Sequence, residues 1–119
     1  MAVPSPQELI ERYGAQPPER LAAALGFRVL REEAALLTPG VTVLSAFAPD
    51  ATIILYRGAL RQAAARRGEP LARAEQWHIA HELYHGLAEA AALSAWRVRE
   101  TEADLWADEL MALADAGTA

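Results

Sequence analysis

Residues 79–88 read Ile79-Ala80-His81-Glu82-Leu83-Tyr84-His85-Gly86-Leu87-Ala88. The stretch has a helical reading, and Ile79, Ala80, Leu83, Leu87 and Ala88 make that helix largely apolar around its polar groups. On an α-helix, His81 and His85 project from one face about one turn apart. A single zinc ion can take one nitrogen from each. Glu82 is rotated about 100° from His81, near enough to reach a water beside such an ion without binding the ion itself. Zinc acidifies water toward neutral pH, and a neighbouring carboxylate can then take the proton. On a solvated helix the same five residues would be two surface histidines and a glutamate. In an apolar helix, polar groups need partners or a metal.

A catalytic zinc usually has three protein ligands and one open position. The chain has no cysteine, and its only other histidine is His78. His78 shares a face with His81 but lies about 10 Å along the axis from His85. One ion cannot take both from a straight helix. The third ligand is therefore expected from another segment, as a carboxylate. Glu100-Thr101-Glu102-Ala103-Asp104 opens a second helical run, Trp96 to Ala114. Glu100 and Asp104 are four apart and share a face, while Glu102 points about 200° away. This frame supplies a ligand, Glu100, and a second carboxylate, Asp104, that can hold a ligating histidine by its other ring nitrogen. Glu102 has Trp106 one turn on and lacks such a partner, so it is the weaker candidate. The metzincin extension needs Gly and His where this chain has Ala88 and Ala91, and a deformylase needs a cysteine. A gluzincin pattern of two histidines and a glutamate remains.

From Ala74 to Met111 the chain resembles the ImmA/IrrE family of small bacterial and phage metallopeptidases. The resemblance is carried by Ile79-Ala80-His81-Glu82-Leu83-Tyr84-His85 and by Glu100-x-Glu102-Ala103-Asp104-x-Trp106-Ala107-x-Glu109-Leu110-Met111. Trp106 stands where the family usually has Phe, and no proline follows the Leu-Met pair. No counterpart of the family's frequent helix-turn-helix or sensor domain is expected within these 119 residues. The resemblance implies a zincin-like domain and zinc-dependent peptide hydrolysis, often limited cleavage of a repressor-like regulator.

At 119 residues the chain is long enough for one core, and a single domain spanning 1–119 is expected. Its 53% hydrophobic content excludes a disordered chain. No apolar run reaches the length of a membrane span and no signal peptide opens the sequence, so a cytoplasmic location is expected. All eleven basic residues are arginines, and the net charge of −5 argues against direct nucleic-acid binding. Arg57, Arg61, Arg66, Arg67 and Arg73 crowd around Glu69, which reads as a solvated helix face. Their other use would be to recognise an acidic substrate segment.

Ser5 to Tyr13 and Glu19 to Leu25 read as helices, the first capped by Ser5, the second ended by Gly26. Phe27–Arg31, Val41–Phe47 and Ala51–Tyr56 read as strands, with turns at Pro39-Gly40 and Ala48-Pro49-Asp50. Helices are expected from Gly58 to Arg67, from Pro70 to about Ala91, and from about Ala95 to Ala116, the last ended by Gly117. The fold class is therefore α+β: N-terminal helices, a small three-stranded, mostly antiparallel sheet, a metal helix and a C-terminal helix carrying the glutamate. An exposed edge, Val41–Phe47 or Thr52–Tyr56, would hold an extended substrate as an added strand.

His78 is a candidate donor to a tetrahedral oxyanion, against the plainer reading of a histidine that bonds a backbone carbonyl. Tyr84 and Tyr56 read as packing residues first, and Trp77, Trp96 and Trp106 as inter-helix contacts. The favoured reading is a zinc-dependent endopeptidase acting on a protein or peptide. Zinc would sit on His81, His85 and Glu100, with Glu82 as the general base. The competing reading is a non-catalytic module that keeps zinc as a structural staple and acts through protein contacts.

Overall fold

Ser5 starts the first helix, α1 (Pro6–Tyr13), with its Oγ accepting from the Glu8 amide at 3.1 Å. This is an N-cap satisfying a helix-end donor that has no partner inside the helix. The computed structural model describes residues 3–33, 36–38, 41–48, 50–91 and 100–118. After α1 come α2 (Pro18–Ala24), β1 (Arg28–Glu32), β2 (Leu36–Thr38), β3 (Val41–Val43), β4 (Ser45–Ala48) and β5 (Thr52–Tyr56). Three helices follow: α3 (Arg57–Arg67), α4 (Leu71–Ala90) and α5 (Glu100–Thr118). Residues 92–99, with Trp96 and the expected start of the last helix, lie outside the described residues, as do Pro39-Gly40 and Pro49.

The α+β class holds, but the sheet differs from the expectation in three ways. Its strand order is β1-β5-β4, with β4–β5 antiparallel and β1–β5 parallel. It is mixed rather than mostly antiparallel. Parallel neighbours need a long crossover, and residues 33–51 provide one. Secondly, Val41–Phe47 is two strands. β3 pairs with β2 in a separate hairpin, and the chain changes sheet at Leu44, whose carbonyl accepts from the Tyr56 amide at 3.0 Å. Thirdly, β5 is the central strand, so Thr52–Tyr56 is not an edge. Ile53 and Leu55 are fully buried, and a centre strand reads as a near-continuous apolar run. Among the described residues the outer strands are β1 and β4.

The sheet covers one side of α4, and α2, α3 and α5 pack around its other sides. Leu21, Ile53, Leu55, Leu60, Ile79, Leu83 and Leu110 form the fully buried centre. Gly86 sets the closeness of helix to sheet. A Cβ there would lie 2.5 Å from Phe27 Cε1 and 2.9 Å from Phe47 Cε2. Gly117 does not end α5, which continues to Thr118. A Cβ at 117 would collide with the Cβ of Ala15, so the glycine serves a close approach rather than a stop. Among the described residues no helix is long and apolar enough to cross a membrane.

The arginine cluster of α3 and the start of α4 is partly engaged. Arg57 pairs with Glu75 and Glu33, Arg61 with Glu33, and Arg73 with Asp115. Those partners come from other elements and are not visible in the local sequence around Glu69.

Candidate metal centre

The middle of α4 carries His81, Glu82 and His85 into a cleft between β4 and α5, with His81 and Glu82 buried. His81 Nε2 and His85 Nε2 are 3.3 Å apart. Glu100, at the start of α5, spans both: Oε2 is 2.8 Å from His81 Nε2 and Oε1 is 3.1 Å from His85 Nε2. The three side chains offer one donor atom each within a common 4.8 Å. Zinc bonds of about 2.0–2.1 Å in a tetrahedral shell put ligand atoms about 3.3 Å apart. The donor set and its spacing therefore fit zinc. The group can hold a metal ion. Glu100 is well exposed, whereas the histidines sit on a packed helix.

Asp104 lies one turn after Glu100, and its Oδ1 is 2.9 Å from His81 Nδ1. The approach is close but off the N–H direction, and the buried Nδ1 has no aligned hydrogen bond. A buried nitrogen without an aligned partner is costly in a protein interior, but the ring has other contacts that hold it. Trp77 provides one, stacked on His81 at 5.4 Å between ring centroids. Its indole Nε1 donates to Asp108 at 2.7 Å. Ligation at Nε2 would fix the ring further.

Glu102 points elsewhere: its Oε2 accepts from the Tyr84 hydroxyl at 3.2 Å. Burial and the Glu102 carboxylate raise the Tyr84 phenol above its ordinary value, and its ring packs edge-on to Trp106. The Trp106 Nε1 donates to the Pro4 carbonyl at 3.0 Å, so both aromatics tie elements together. Tyr56 ends β5 and its ring is not in the cleft lining.

Ser45 is the residue that sequence reading missed. It lies on β4, and its Oγ donates to Glu82 Oε2 at 2.6 Å and sits 3.0 Å from His78 Nδ1. Nothing in its local pattern marks it, since a serine in an apolar strand run has no periodic signal. His78 is half-buried. Burial, with His81 and Arg67 nearby, pushes its imidazole down to about 4, so it is neutral at physiological pH.

A second cavity, of about 450 Å³, abuts the cleft and shares Leu44, Arg67, Trp77 and His78 with it. Leu60, Ala74 and Met111 line its inner part.

No protein-family model, curated protein or solved structure matches this chain.

Proposed function

We propose that this protein is a zinc-dependent endopeptidase of the ImmA/IrrE kind. One observation carries the reading: a buried glutamate with no ion-pair partner among the described residues lies beside a metal-ligand triad of correct spacing. A structural metal staple has no use for such a base, which disfavours the non-catalytic alternative. His81, His85 and Glu100 would hold the ion, and Asp104 would orient His81. Bound zinc supplies a Lewis acid that acidifies water and polarises a carbonyl. Glu82 takes the proton of the attacking water and delivers it to the leaving amine. The edge of β4 beside the cleft, an outer strand among the described residues, would carry the substrate in extended form, and the adjoining cavity would take one of its apolar side chains. The resemblance makes a repressor-like regulatory protein the natural substrate, cut at one place, in the cytoplasm.

The test is Glu82→Gln, nearly the same shape but unable to accept a proton. Cleavage of a proteome-derived peptide library, read by mass spectrometry, should fall at least about 100-fold while zinc content and melting temperature stay at parental values. Equal cleavage by parent and variant would sink the peptidase reading.

A further inference from the structure

Ser45 Oγ has two polar neighbours and one proton. A carboxylate can only accept, so the hydroxyl hydrogen goes to Glu82 Oε2 at 2.6 Å. The remaining contact, 3.0 Å to His78 Nδ1, then needs its hydrogen from the imidazole. A neutral imidazole has a single N–H. His78 is therefore the Nδ1–H tautomer, with Nε2 a bare acceptor. That removes the oxyanion role considered above, because a bare nitrogen has no hydrogen to donate. The bonds run in one direction, from His78 Nδ1–H to Ser45 Oγ–H to Glu82 Oε2. They join α4 to β4 and back to α4, one turn from where they began.

We propose that Ser45 and His78 are positioning residues that hold Glu82 by Oε2 and leave Oε1 as the oxygen that receives the proton. In kinetic terms this rests on the peptidase reading; the hydrogen-bond chain itself does not. The proton moves from water to Oε1 and onward to the amine, and neither Ser45 nor His78 changes charge. Glu82 has three rotatable bonds between backbone and carboxylate plane to restrain, and it sits 7% exposed on a packed helix. Among the described residues, the hydroxyl from β4 is the hydrogen-bond partner of this carboxylate.

The first measurement needs no activity. A long-range proton–nitrogen correlation spectrum of the full-length, metal-free protein near pH 7 reads the tautomer of each histidine. His78 should be Nδ1–H in the parent and should shift toward Nε2–H in Ser45→Ala. A parent that is Nε2–H, or a tautomer indifferent to Ser45→Ala, overturns the chain whatever the protein cleaves. The second measurement is cleavage of the same peptide library by the zinc-loaded protein. Ser45→Ala and His78→Phe should each lower kcat about 10-fold with KM and zinc content unchanged. Ser45→Thr, which keeps the hydroxyl, and His78→Asn, whose amide nitrogen replaces Nδ1–H, should restore most of the rate. Parental kcat in Ser45→Ala, or no rescue by the conservative pair, overturns the positioning role. If the tautomer responds as expected but Glu82→Gln cleaves as well as the parent, the peptidase reading fails and the hydrogen-bond chain stands.

Discussion

Glu75 and Glu82 stand two turns apart on the same helix, and each keeps under a tenth of its surface in water, 6% and 7%. Their partners differ in kind. Glu75 accepts from Arg31 Nε at 3.2 Å and from Arg57 Nε at 2.9 Å. Arg31 also grips Glu19 through two hydrogen bonds, and Arg57 reaches Glu33. This ionic knot ties α2, β1, α3 and α4 together. Glu82 meets no cation among the described residues, only the hydroxyl of Ser45. Guanidiniums stay charged at every working pH, so Glu75 is committed to structure. A hydroxyl is uncharged and donates to a carboxylate or to a carboxylic acid's carbonyl oxygen alike, so Ser45 can keep its bond to Oε2 whether or not a proton arrives at Oε1. Burial alone does not distinguish a structural carboxylate from a reactive one; the partner does.

The comparison breaks most visibly at the metal. His85→Ala should abolish the one zinc per chain expected of the parent, measured by elemental analysis after gel filtration. A chelator should lower the melting temperature of the parent, because ligation contributes folding free energy. It should leave that of His85→Ala unmoved. Full zinc occupancy in the variant would mean that the ligands are misassigned.

Asp104→Ala should retain the site but bind zinc about 10- to 100-fold more weakly in a competition titration. An unchanged affinity would reduce Asp104 to an ordinary surface acid.

Glu75→Ala sharpens the contrast from the other end. It leaves two guanidiniums without their shared acceptor and should cost about 2 kcal/mol in urea denaturation, because both arginines are partly solvated and can recover water. Zinc content and cleavage by the folded fraction should not change. A loss of zinc with Glu75→Ala would show the two ends of α4 to be coupled.

The smallest effect concerns acid. The imidazole of His78 is depressed to about 4, chiefly by burial. The unfolded chain therefore binds this proton first, near pH 6.5. The contribution is complete above pH 6.5 and is lost as pH falls toward 4. His78→Asn cannot titrate, so its stability should fall less over that window, by about 1 kcal/mol at pH 5.5. Parallel stability–pH curves for parent and variant would contradict the assignment.

Residues whose spacing lies within one helix were the legible part of the site. The i, i+4 pairs His81/His85 and Glu100/Asp104 were read from helical geometry, and the structure brings all four into one cleft with Glu82. The helix start marked by Ser5 was legible for the same local reason. Ser45 was not, because its partners lie on α4 and reach it only through the pairing of β4 with β5. Glu75 carries no local mark of its role either, since its partners Arg31 and Arg57 come from β1 and α3. The parallel direction of β1 was equally hidden: strand propensity says which residues extend, and pairing across the chain decides which way they run.

Position 86 has no place in any reading of the two histidines and the glutamate, yet it governs whether they can be transplanted. Copying His81, Glu82 and His85 onto another helix would reproduce the ligands but not the wall opposite them. A Cβ at 86 would press on the ring edges of Phe27 and of Phe47, which stands two residues from Ser45 on β4. A saturation library of α4 should therefore show a preference for glycine at 86, for a reason of clearance rather than chemistry.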